Sequence, residues 1–145
     1  MKRIKSLLIL LVLLATLPVP ALAEFDFSLM VKDLNVAARS DLSRFEMRVA
    51  SEFGVPVGRV ERLVATLGSP GDAYLCLKLG KLSGRTVDDV VRQRRSSPGE
   101  GWGKTAQRMG IKPGSDEFMQ LKQKPGKKQK KTGKTKNKSK GKKNK

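Results

Sequence analysis

SPGDAYLCLKLG, Ser69 to Gly80, is the stretch on which the fold turns. Ser69 suits a helix cap, Pro70 suits a first turn, and Asp72 stands three residues after the Ser in the manner of a capping box. The residues that follow, AYLCLKL, are apolar on nearly every side. A helix of that composition needs neighbours all round it, which places it at the centre of a helical domain.

Helices are predicted on both sides of it. Upstream, Pro56 sits where a first helical residue belongs, and Val60, Leu63, Val64 and Leu67 form a stripe that Gly68 ends. Before that, Leu42, Phe45, Val49 and Phe53 recur every three or four positions between a cap at Ser40 and a stop at Gly54. Downstream, Thr86 caps a helix with Asp88 and Asp89 at its positive end and Arg92, Arg94 and Arg95 near its negative end. A short helix follows from Trp102 to Met109, stopped by Gly110, and another from Ser115 to about Lys122. FDFSLMV, ending at Val31, alternates instead, with Phe25, Phe27, Leu29 and Val31 on one side as in a strand. No second strand is evident to pair with it, so it reads as an extended arm laid across the helices or as a lead-in to the first of them. The expectation is an all-α fold: a single small domain of five or six short helices over residues 24–121, joined by short loops.

The flanks have different chemistry. MKRIKSLLILLVLLATLPVPALA has a basic start, an apolar run from Leu7 to Leu17 and a small-residue exit at Ala21-Leu22-Ala23. That is the pattern of a signal peptide over residues 1–23, cleaved to leave Glu24 first. The run is well short of the roughly 20 apolar residues a membrane-spanning helix needs. The reading is therefore of an exported protein, periplasmic or secreted.

The formal net charge of +18 suggests a nucleic-acid partner until it is divided by segment. Residues 24–121 hold ten Arg and five Lys against thirteen Asp and Glu, whereas residues 122–145 hold thirteen Lys and no acid. The body is close to neutral and the basic character belongs to a tail. That tail has no apolar residue to bury, so it is expected to be disordered. The candidate anionic-surface binders are Lys124, Lys127, Lys128, Lys130, Lys131, Lys134, Lys136, Lys138, Lys140, Lys142, Lys143 and Lys145. Each would gain about 1 kcal/mol beside an anionic membrane, and on a polyanion the gain comes from released counterions. Lys without Arg or aromatic residues favours point-charge attraction over base stacking. A purely solubilising tail is the alternative.

The body offers little for catalysis. There is no His, and the single Cys76 can form no internal disulfide and cannot assemble a zinc site of the usual ligands. Among apolar neighbours it reads as a buried hydrophobe. Asp88-Asp89 and Asp116-Glu117 are better explained as first-turn acids than as acid–base pairs. No enzyme activity, cofactor or metal is expected.

Two features remain. GWGKTAQRMGIKPGSDEF, Gly101 to Phe118, has the Ala and Gly spacing of a helix-turn-helix, with Ala106 at the helix angle and Gly110 in the turn. Its second helix, however, would bring Asp116 and Glu117 to the phosphates, and its turn exceeds the usual three or four residues. Folding explains the same residues as core, cap and turn. Trp102, the only Trp, sits among Gly99, Gly101 and Gly103 with Arg92, Arg94 and Arg95 just upstream. These four residues are the candidate partner contact. The competing role, and the preferred one, is a core anchor whose small neighbours let helices approach.

GSPGDAYLCLKLGKLSG, GEGWGKTAQRMGIKPGSDEFMQLK and the Lys/Gly-rich tail together resemble a group of small exported bacterial proteins of unknown function. The second phrase, built around Trp102, Gly110, Pro113, Gly114, Phe118 and Leu121, carries most of the likeness. The resemblance implies export and a shared fold; it implies no activity, cofactor or catalytic residue. The expected partners are an anionic envelope component or membrane surface, or a protein, with nucleic acid less favoured.

Overall fold

A computed structural model describes residues 26–126, and the described chain is wholly helical, without strands. Its helices are α1 (Phe27–Ser40), α2 (Leu42–Phe53), α3 (Val57–Leu67), α4 (Pro70–Ser83), α5 (Val87–Ser96), α6 (Trp102–Arg108) and α7 (Asp116–Leu121). The stretch expected to be a signal peptide, residues 1–23, and the lysines from Lys127 onward lie outside the described residues.

Seven helices replace the expected five or six because the N-terminal arm is itself a helix. The Asp26 carboxylate accepts from the Ser28 N–H at 2.8 Å, opening α1. Phe27, Met30, Leu34 and Ala38 then bury one face at spacings of three and four. Leu29, which alternation would put beside Phe27, is 63% exposed. Seven residues are too few to separate a period of 2 from one of 3.6, and the helical period shows only when Leu34 and Ala38 are included. Ser40 ends α1, and Asp41 caps α2 by accepting from the Arg44 N–H at 2.9 Å. Pro56 likewise stands one position earlier than expected, as the residue before α3. The stops at Gly54 and Gly68 are as expected, both in the left-handed conformation.

α4 packs against all six other described helices. Ala73, Tyr74, Leu75, Cys76 and Leu79 have no exposed surface, which is how an all-round apolar helix becomes stable in water. A buried helix must also satisfy its first-turn N–H groups. Pro70 has none, the Gly71 N–H donates to Asn35 Oδ1 of α1 at 2.7 Å, the Asp72 N–H to Ser69 Oγ at 3.2 Å, and the Ala73 N–H to the Ser69 carbonyl at 3.0 Å. Ser69 Oγ donates in turn to Asn35 Oδ1 at 3.1 Å. α1 thus caps the central helix as well as covering it.

Gly71 makes that cover possible. A Cβ there would lie 2.6 Å from the Val31 carbonyl oxygen and 2.9 Å from Val31 Cα, both backbone atoms of α1. Only glycine lets the two helices cross this closely.

Candidate functional site

The start of α1, the first turn of α4 and the loop leading into α6 enclose a cleft of about 720 Å³. Its back wall is Trp102. The indole is 3% exposed, its Nε1–H donates to Asp72 Oδ1 at 2.6 Å, and the Arg94 guanidinium lies 4.9 Å from the ring centroid. Asp72 therefore keeps only half of a capping box. Its backbone N–H uses Ser69 while its carboxylate, instead of returning to the cap, holds the indole.

Arg94 reaches this position from α5, donating through Nη1 to the Glu100 carbonyl. Glu100 Oε1 accepts from Arg108 Nη2 of α6 at 2.7 Å. Glu100 Oε2 is buried with no hydrogen-bond partner, an unused acceptor in the cleft lining. Phe27 and Val31 add apolar surface, Asp26 and Ser28 a polar edge, and Lys104 an exposed cation at the rim. Hydrogen bonds from Ser28 hold the Asp26 carboxyl below the ordinary carboxylate range. An aromatic wall with charges of both signs and an unfilled acceptor can bind a small polar group or a peptide side chain.

Of the four residues read as a partner contact, the fold brings Trp102 and Arg94 together. Arg92 is turned away, exposed and paired with Asp89 of its own helix. Arg92 and exposed Arg95 line a separate hollow of about 400 Å³ with Asp88 and Val91. Trp102 is buried, so the indole itself is framework of the cleft. The suggestion that its neighbouring glycines let helices approach is corrected at Gly99 and Gly101, where a Cβ would meet nothing within 4 Å. Gly71 takes the close-approach role.

The other candidate element, the tail, leaves from a defined place. Lys78 Nζ of α4 donates to the Gln123 carbonyl, Lys124 pairs with Asp33 of α1 at 2.8 Å, and Lys122 lies 5.1 Å from the Phe118 ring centroid. Burial pushes the Lys78 ammonium down to about 8.

The helix-turn-helix geometry is absent from α6 and α7. Seven residues, 109–115, separate them, and within that connection the Ile111 side chain is buried and its N–H donates to the Ala106 carbonyl at 2.9 Å. Asp116 and Glu117 stand exposed at the start of α7, and hydrogen bonds from the Glu117 backbone and Ser115 hold the Glu117 carboxyl low and ionised. Such an end repels phosphate. Among the described residues no group of three or more His, Cys, Asp or Glu side chains is placed to hold a metal ion, and no helix is long and apolar enough to cross a membrane.

Sequence reasoning missed Asp72 as the indole's partner, Asn35 as the cap of α4, and Glu100 as the cleft's unfilled acceptor. Glu100 alone carried a sequence signal, as the one acid within the glycine-rich Gly99–Gly103 run. Comparisons of the chain with protein-family models, curated proteins and solved structures found no match.

Proposed function

We propose that this protein is an exported, non-enzymatic binding module whose polybasic tail tethers it to anionic envelope surfaces. In this reading residues 1–23 are removed, the Trp102-backed cleft is the recognition site of the helical body, and the lysines from Lys124 onward are the tether. The proposal agrees with the resemblance to small exported bacterial proteins and invokes no cofactor or metal.

The observation that carries it is the segregation of charge. Thirteen Lys and no acid are collected in residues 122–145, and the root of that segment is pinned to one side of the body by Lys78 and by the Lys124–Asp33 pair. A neutral body with a cationic leash fixed at one point is arranged to be held at a charged surface with its opposite side free. The same tail chemistry also favours a second reading, an exported nucleic-acid or polyanion binder acting mainly through the tail, because counterion release is indifferent to sequence.

Co-sedimentation of the mature chain with phosphatidylglycerol-containing vesicles tests both. Tethering predicts salt-sensitive binding that is reduced when residues 123–145 are deleted, while the cleft-bearing body still captures its partner from envelope extract. The second reading predicts that duplex DNA displaces the protein from vesicles and that the deletion abolishes every interaction. Equal binding of intact and truncated chains would remove the tail from the account. Mass spectrometry of the exported protein should find Glu24 first, and an intact Met1 would refute the export reading.

A further inference from the structure

The outward side of α1 is exposed along its length. At 100° per residue, Leu29 and Val36, seven positions apart, fall within about 20° of one another. Both face away from the core, with 63% and 55% of their surface exposed. Lys32 and Arg39, also seven apart and both exposed, run beside them on one flank. On the other flank Asp33 is paired with Lys124, and Leu29 shares a groove of about 630 Å³ with Asp26, Met30, Lys122, Gln123 and Lys124 at the root of the tail.

An apolar ridge edged by cations and continuous with a polybasic segment matches the interface of an anionic bilayer, where apolar side chains enter the headgroup boundary and lysines stay with the phosphates. We infer that the Leu29–Val36 ridge of α1 docks on anionic lipid, so that the protein lies on the membrane with a fixed face inward. The inference rests on the proposed tether and adds a second signal to it. Electrostatic attraction alone weakens as salt rises, whereas apolar insertion does not. The Lys124–Asp33 pair matters here because it offsets one of the two carboxylates on this flank; the other, Asp26, is engaged at the start of α1, where it accepts from the Ser28 N–H. The cleft, on the opposite flank of α1 at Phe27, Ser28 and Val31, stays open beside the membrane.

The test uses the mature chain and vesicles of phosphatidylglycerol and phosphatidylcholine at low and high salt. The double substitution Leu29→Ser with Val36→Ser alters exposed side chains and no charge, and circular dichroism would confirm that it folds. It should lower partitioning at high salt by about tenfold or more, the lower bound corresponding to partial insertion of the two aliphatic side chains, with a smaller effect at low salt. Separately, Val36→Cys carrying a polarity-sensitive fluorophore should shift its emission to the blue on anionic vesicles, while the same probe at Ala65→Cys on exposed α3 should not; buried Cys76 is not labelled in either. Unchanged partitioning of the double variant would overturn the inference, as would a probe at position 36 that remains in water. A dimer in lipid-free solution that the double variant dissociates would overturn it too, assigning the ridge to contacts between two copies. If tail deletion abolishes binding but the double variant binds normally, the tether stands without the docking face. If the intact chain binds no vesicle, the proposed function itself fails.

Discussion

Trp102→Ala is the most informative single perturbation of the body. The indole is 3% exposed, caged by Arg94 on one face and held by Asp72 through its only polar atom. Emptying such a site costs about 3–5 kcal/mol, because the surroundings relax only partly into the space. The released Asp72 carboxylate is half-buried and water can reach it, so it adds less than a fully enclosed acceptor would. A domain of this size has about 5–15 kcal/mol of total stability, so the variant should stay folded near room temperature at a greatly reduced margin. The midpoint should fall by about 15–30 °C in thermal melts followed by far-ultraviolet circular dichroism. In the wild type, the single indole should emit to the blue and resist quenching by acrylamide, and urea unfolding should shift its emission to the red. A loss of stability under about 1 kcal/mol, together with free quenching of Trp102 in the native domain, would refute the packing argument. The ring would then be a contact surface instead of a wall.

Three further outcomes follow from the central helix and its neighbours. Gly71→Ala should destabilise by about 1–3 kcal/mol or more in urea titration, since the added methyl meets α1 backbone that cannot turn aside; a neutral result would mean that α1 and α4 are farther apart. Asn35→Ala should cost about 1–3 kcal/mol by leaving the Gly71 N–H without its acceptor, and Asn35→Asp, which keeps an acceptor oxygen, should recover most of it. Burial and then Glu61 raise the Glu46 carboxyl above its ordinary range. The folded chain thus holds this proton more tightly than the unfolded one, and stability from this group falls as pH rises from the ordinary carboxylate range through the raised value. Glu46→Gln should therefore match wild type in acid and be the more stable protein at neutral pH, and a variant less stable at both would contradict the assignment.

The parts of the fold that sequence made legible were those with long periodic patterns or unambiguous caps. AYLCLKL could only be a buried helix, and Thr86, Ser115, Gly54 and Gly68 form the caps and stops expected of them. α1 was obscured because its first residues satisfy two periods at once, and because its partner is a helix some 36 positions further along the chain. Local pattern does not reveal which distant N–H a side chain will satisfy, so Asn35 looked like an ordinary polar residue of a helix surface. The cleft was half legible. Trp102 and Arg94 were singled out, but Asp72 appeared fully explained as a first-turn acid, and only the crossing of α4 over α6 turns its carboxylate to the indole. Arg92 and Arg95 were grouped with Arg94 by adjacency, although neighbouring helical positions diverge by 100°.

The enclosure of Cys76 at the middle of α4 sets a clock on the life of this chain. Its thiol has no exposed surface, lies 3.7 Å from the Val87 carbonyl, and is pushed up to about 12 by burial. The thiolate is the species that attacks disulfides and oxidants, so the folded protein is nearly inert to both. On the proposed route the polypeptide arrives unfolded in an oxidising compartment with that sulfur bare. Its hazard of mixed-disulfide formation or covalent dimerisation is confined to the interval before α4 is wrapped by its neighbours. Rapid helix collapse then serves as redox protection, achieved with no partner thiol, and any variant that slows wrapping of α4 should first be detected as oxidised or cross-linked protein.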